Sequence, residues 1–148
     1  MKLFHLPAAQ AHCDIPCGIY DPHLAQVAAL TTVRMNQLIK DQGSDSAKLS
    51  RFVATKEEHA ELCKRELRVL WADYFKPEHL EKHPNLHTLV FNALKTASKV
   101  RQETNADAAN QLLAEVNEIA RIFWDTKGVK TASKSSNQAA GGEFVVPA

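Results

Sequence analysis

"LHTLVFNALKTASKV", residues 86–100, places apolar side chains at Leu86, Val90, Ala93, Leu94, Ala97 and Val100. Steps of three and four put them on one side of an α-helix, and such a stripe must be buried against something. The flanking sequence supplies partners with the same period. Downstream, Ala109, Leu112, Val116, Ile119, Ala120 and Phe123 mark a helix that ends near Gly128. Upstream, Phe52, Ala60, Cys63, Leu67, Leu70 and Tyr74 share one stripe of a helix from about Ser50 to Phe75, stopped by Pro77. The first helix opens at Asp21-Pro22, a capping carboxylate before a proline. It continues through Leu24, Val27, Thr31, Met35 and Leu38 until "DQGSDSAKLS" (41–50) breaks the pattern. "KPEHLEKHPNL" (76–86) reads as a connection with room for one helical turn.

Four amphipathic helices joined by loops of a few to about ten residues predict an all-α protein, an antiparallel up-down four-helix bundle over residues 21–128. Beyond Val129 the composition turns to Lys, Ser, Asn, Ala and Gly, which predicts a disordered tail over 129–148. "GGEFVVPA" (141–148) is the one β-like scrap.

Bulk composition narrows the function classes. The chain has 148 residues, enough for one domain with a real core. Its 18 basic and 17 acidic side chains nearly cancel, which argues against a nucleic-acid partner or a charged membrane surface. No apolar run reaches the length of a membrane span. Three cysteines are an odd number and do not suggest a disulfide framework. A reducing compartment, the cytoplasm, is therefore expected.

Two of those cysteines crowd into "AHCDIPCGIYDP" (11–22), where His12 precedes Cys13 and Cys17 follows four positions on. Gly18 allows the loop to reverse with positive φ. Thiolates and an imidazole this close point to metal or redox chemistry. Two thiolates and one imidazole would suit zinc if a fourth ligand came from elsewhere. A cut after Ala11 opens another possibility. The α-amine of His12 and the amide nitrogen of Cys13 would then join both thiolates in a planar N₂S₂ set, with the imidazole above the plane. Square-planar nitrogen-containing sets favour nickel(II) or copper(II). The leader "MKLFHLPAAQA" (1–11) ends in a small-x-small pattern, but His5 and Pro7 interrupt its apolar stretch. It reads as a propeptide to be trimmed, not as an export signal.

The run "HCDIPCGIYDP" resembles the nickel hook of nickel-containing superoxide dismutases. The likeness extends through "LWADYFKPEHLEKHPNLHTLV" (70–90) and "IFWDTKG" (122–128). The resemblance implies a metal hook over residues 12–20, one nickel ion per subunit, superoxide as substrate, a homo-hexamer and a maturation protease that removes residues 1–11. It assigns the metal to His12, through its α-amine and axial imidazole, to Cys13, through its amide nitrogen and thiolate, and to Cys17. It places Asp14 and Tyr20 around the hook, with Tyr20 over the open face and Tyr74 approaching from the bundle. The implied reaction is 2 O₂⁻ + 2 H⁺ → O₂ + H₂O₂. A non-catalytic nickel-, copper- or zinc-binding bundle is the alternative, and a helical interaction module whose hook never matures is a further one.

One departure bears on the site. In the family, a glutamate of the first helix and an arginine of the second hold the axial imidazole. Here Ala28 and His59 occupy those positions, and His59 is the candidate substitute, since outer partners orient ligating histidines. His79, His83 and His87 recur every four residues, but Pro84 interrupts any helix that would align them. Cys63 reads as a buried small hydrophobe. Without Lys2 the charges balance at 17 against 17, so no overall field steers an anion.

Overall fold

The computed structural model describes residues 18–41 and 45–148. Helix α1 spans His23–Asp41, and α2 spans Ser46–Val69 and runs into a π-helical turn, Leu70–Tyr74. A short α3 (Pro77–Lys82) leads to α4 (Leu86–Gln102) and α5 (Ala106–Thr126), and two strands follow, β1 (Thr131–Ser135) and β2 (Glu143–Pro147). Helix α1 packs on α2 and α5, and α4 packs on the same two, so four long helices close a ring around one core.

The stripe of α4 is buried as its period predicts. Leu86, Val90, Ala93, Ala97 and Val100 face the core, as do all six stripe residues of α5. Helix α1 departs from its expected face. Leu24 and Val27 are 57% and 41% exposed, while Ala25, Ala28 and Ala29 point inward with no exposure. The period fits two faces of this helix, and the alanine face wins because small side chains let the backbone approach its neighbours closely.

Local chemistry sets the helix ends. Asp21 Oδ1 accepts the backbone N–H of His23 at 2.7 Å, satisfying one orphan donor of α1. At the far end of the bundle Lys56 is 2% exposed. Its ammonium donates to the carbonyls of Val100 (2.7 Å), Arg101 (3.1 Å) and Glu103 (2.6 Å), which closes the end of α4. Burial pulls the Lys56 pKa below its ordinary value, against the pull of Glu57 and Glu103.

The tail corrects two expectations. Residues 129–148 are not disordered, and the chain is mostly helical but not wholly so. Strands β1 and β2 pair antiparallel with Ser133 opposite Val145. Val145 is 1% exposed. Composition missed this because β1, Thr-Ala-Ser-Lys-Ser, carries no strand signal and the short apolar run of β2 is ordered only by its partners on α1 and α5. Gly142 shows why the turn can lie flat. Its φ is +79°, and a Cβ there would stand 3.1 Å from both Leu113 Cδ2 and Leu30 Cδ1.

Candidate metal centre and its surroundings

His12, Cys13, Asp14 and Cys17 lie outside the described residues. The structure describes the chain from Gly18 onward. Gly18, directly after Cys17, has φ +71°, the reversal its sequence position predicts. Two residues on, the Tyr20 ring meets the Tyr74 ring with centroids 5.6 Å apart and planes at 51°. The two tyrosines expected near the hook therefore do come together.

Tyr74 owes its place to the end of α2. The π-helical turn adds a residue to the last turn, and Phe75 N–H closes it on Leu70 O at 2.9 Å. That extra residue re-phases Tyr74 away from the Leu67–Leu70 stripe and toward the last turn of α5. There its ring lies 4.5 Å from Phe123, stacks on His79 at 5.6 Å and 24°, and sits under Lys127 Nζ at 5.3 Å. The hydroxyl direction follows from counting hydrogens. Thr126 Oγ1 gives its only hydrogen to Phe123 O at 2.6 Å, so the 2.6 Å contact with Tyr74 must be a donation from the tyrosine.

Beside Tyr20 lies a hollow of about 670 Å³, walled by Leu24, Val69 and Leu70 and rimmed by Asp21, Asp73 and Arg65. Lys127 also stands 5.1 Å from the Phe123 centroid, held by ring faces and, among the described residues, by no carboxylate. Its neighbour Asp125 takes the opposite course. Lys82 Nζ lies 2.7 Å and His83 Nε2 2.9 Å from the same oxygen, Asp125 Oδ2. The bond from Lys82, with His83 behind it, holds the Asp125 carboxyl below its ordinary range.

His59 is not brought to this cluster. It precedes Tyr74 by fifteen positions along α2, about 22 Å at the helical rise. It borders a separate hollow with Glu58, Leu62 and Arg101. Its Nδ1 is 2.9 Å from Thr55 O and donates there, which leaves Nε2 as the atom able to meet another group. Ala28, where the family resemblance places a glutamate, is fully buried.

The remaining candidates have other partners. Among the described residues no three metal-ligating side chains converge. His79 Nδ1 accepts the Lys76 N–H at 3.2 Å, His83 pairs with Asp125, and His87 stands edge-on to Trp71 at 5.5 Å. Cys63 is fully buried, and burial pushes its thiol up to about 12. Buried on the core stripe and hard to ionise, Cys63 is poorly placed to ligate a metal. Sequence reasoning missed Thr126, Lys127 and His79. The first two sit in the quoted run "IFWDTKG", but only the fold shows that they meet Tyr74.

Comparison with known proteins covers this whole region. A family model described as nickel-containing superoxide dismutase matches residues 7–127. The chain is 43% identical over 117 residues to the nickel superoxide dismutase of Streptomyces seoulensis, spanning 79% of this chain and 88% of that protein. It is 41% identical over 118 residues to that of Streptomyces coelicolor A3(2), with the same coverage. It also resembles a native nickel superoxide dismutase structure, with TM-score 0.74 and 39% identity over 78% of this chain and 99% of that one. Against a structure whose nickel ligation corresponds to the oxidised state, the TM-score is 0.72 with 41% identity, covering 79% and 99%. No helix among the described residues is long and apolar enough to cross a membrane.

Proposed function

Because this chain belongs to the family of nickel-containing superoxide dismutases, we infer that its nickel is held by His12, Cys13 and Cys17 once residues 1–11 are removed. The protein is a superoxide dismutase with a nickel cofactor, and it disproportionates superoxide to O₂ and H₂O₂. That assignment displaces the alternative of a non-catalytic metal-binding bundle, since both curated relatives are dismutases.

The donor chemistry fits the ion. The α-amine of His12, the amide nitrogen of Cys13 and the two thiolates would make a strongly donating set of the kind that suits nickel's one-electron chemistry. Cys63, with its thiol raised to about 12, does not compete for the ion. When bound, nickel supplies the one-electron cycle between +2 and +3 that dismutation needs. The residues of the bundle supply everything around that cycle.

Tyr20 and Tyr74 form an aromatic wall where the chain leaves the hook. Tyr74 is fixed by Phe123, His79 and Thr126, and it in turn fixes the Tyr20 ring. In this reading the wall limits what reaches the metal and orders water beside it, with Asp14 on the hook itself. Lys127 brings a positive charge 5.3 Å from the Tyr74 ring centre. The substrate is a small anion, and the chain's overall charge offers it no guidance, so this local charge draws it in.

The finer architecture follows the same reading: an antiparallel up-down four-helix bundle with an N-terminal hook. A homo-hexamer is the assembly that the family resemblance implies. A cytoplasmic location and a dedicated maturation protease complete it. The observation that carries the reading is the family match from residue 7 to 127, which takes in every proposed ligand and both tyrosines. Its test is suppression of superoxide-driven dye reduction by nickel-loaded chain that starts at His12. Equal suppression by chain loaded with zinc alone would refute it.

A further inference from the structure

Residues 128–148 lie beyond the family match, which stops at 127. They are nevertheless fastened to the bundle by buried polar bonds. Gln26 is 1% exposed, and its Nε2 donates to Asn117 Oδ1 at 2.7 Å and to Val145 O at 3.1 Å. Asn117 Nδ2 donates to Glu143 O at 2.9 Å. One amide on α1 and one on α5 thus satisfy the inward carbonyls of β2, with Val145 seated between them. Further along α1, Gln37 Nε2 donates to Ala140 O at 3.1 Å. Undocking the hairpin would leave those buried amides and carbonyls unpaired, so its place is well specified.

Its position relative to the site is informative. The segment leading to the hairpin leaves the bundle at Thr126, the last residue of α5, and Lys127, its cap, which together hold Tyr74. Gly128 turns the chain at φ +70°, and Val129 N–H returns to Trp124 O at 3.0 Å. At the other end, Phe144 meets His23 edge-on, with centroids 5.3 Å apart and planes at 77°. His23 opens α1 three residues after Tyr20, and the Asp21 carboxylate caps it. The hairpin therefore spans two chain segments whose separation sets the Tyr20–Tyr74 contact. One is the start of α1, three residues after Tyr20; the other is α5, gripped at mid-helix through Asn117 and continuous with the hairpin at its end, where Thr126 holds Tyr74.

We propose that the C-terminal hairpin is a positioning brace: by tying the first turns of α1 to the end of α5, it fixes the Tyr20–Tyr74 pair and the metal site that Tyr20 borders. The metal part rests on the reading that His12, Cys13 and Cys17 hold nickel. Phe144, Val145, Gln26 and Asn117 are then positioning residues and touch no substrate.

The test uses the full mature chain with Val145→Ser, which undocks β2, against Val90→Ala in α4, a core loss remote from α1. Nickel transfer to an excess of chelator and amide hydrogen exchange over residues 19–24 are both measured. The brace predicts at least fivefold faster nickel transfer and at least tenfold faster exchange for Val145→Ser, with both within twofold of the parent for Val90→Ala. Equal effects of the two variants would reduce the hairpin to general stability and overturn the proposal. Exchange that quickens while nickel transfer does not would overturn its link to the metal site. Should Val145→Ser fail to fold, Phe144→Ala removes only the ring against His23, and no change in either rate would overturn the brace. The exchange arm is also run on metal-free chain. A parent that holds no nickel therefore refutes the metal reading separately, while exchange still decides the Tyr20 part.

Discussion

Tyr74 donates its phenolic hydrogen to Thr126 Oγ1 at 2.6 Å, because the threonine's own hydrogen is committed to Phe123 O. One side chain at the end of α5 thereby sets the tilt of a tyrosine at the end of α2. Replacing Thr126 by valine keeps the shape and strands the Tyr74 hydroxyl, with an expected loss of about 1–2 kcal/mol in urea unfolding. Turnover should fall several-fold in Thr126→Val and in Tyr74→Phe while nickel content stays at the parent level. A Tyr74→Phe chain with parental turnover would remove Tyr74 from the working site.

Lys127 gives a prediction in salt. It is held over Tyr74 and Phe123 and has no carboxylate partner among the described ion pairs. Its field should extend about 10 Å at 0.1 M ionic strength. Lys127→Gln is expected to lower the second-order rate at low salt by a few-fold and to flatten its decline as salt rises. Lys134→Gln, in the exposed β1, should change neither. Stopped-flow decay of superoxide across ionic strengths would show an unchanged slope for Lys127→Gln if the residue plays no part.

The Asp125 clamp ties α3 to α5 and makes stability depend on acid. Its folded pKa is depressed below 3.8, first by Lys82 and then by His83. The unfolded chain therefore takes up the proton first as pH falls, and the stabilisation is present above 3.8 and lost through the lower folded value. Melting temperatures should decline more steeply below pH 4 for the parent than for Asp125→Asn. Parallel curves would show that the clamp adds nothing in solution.

Cys63 should be chemically silent. With its thiol raised to about 12 and no exposure, iodoacetamide at pH 8 is expected to leave it unmodified until the chain unfolds. Cys63→Ala should bind nickel as the parent does, at a modest cost in packing. Rapid native labelling, or loss of the metal on substitution, would contradict its role as a core residue.

What could be read in the sequence follows from where the physics is local. The stripes of α4 and α5 combine large apolar residues with one unambiguous period, so their buried faces were legible. Helix α1 carries two competing stripes, and only its neighbours decide for Ala25, Ala28 and Ala29. The hook stands out in the sequence because thiols and an imidazole within six residues have few other uses, though residues 12–17 lie outside the described ones. Thr126 and Lys127 carry no such signal: a threonine and a lysine at a helix end are ordinary until Tyr74 is placed beside them. The hairpin was hidden for a similar reason, since β2 is held at Val145 by Gln26 and at Glu143 by Asn117, both far away in sequence.

The central claim is that the nitrogen end of residue 12 completes the metal site. The most direct measurement combines intact mass with metal analysis on active protein purified from nickel-replete cells. The account predicts a chain beginning at His12 with about one nickel per subunit. Active protein that still carries residues 1–11, or that holds zinc in place of nickel, would contradict it.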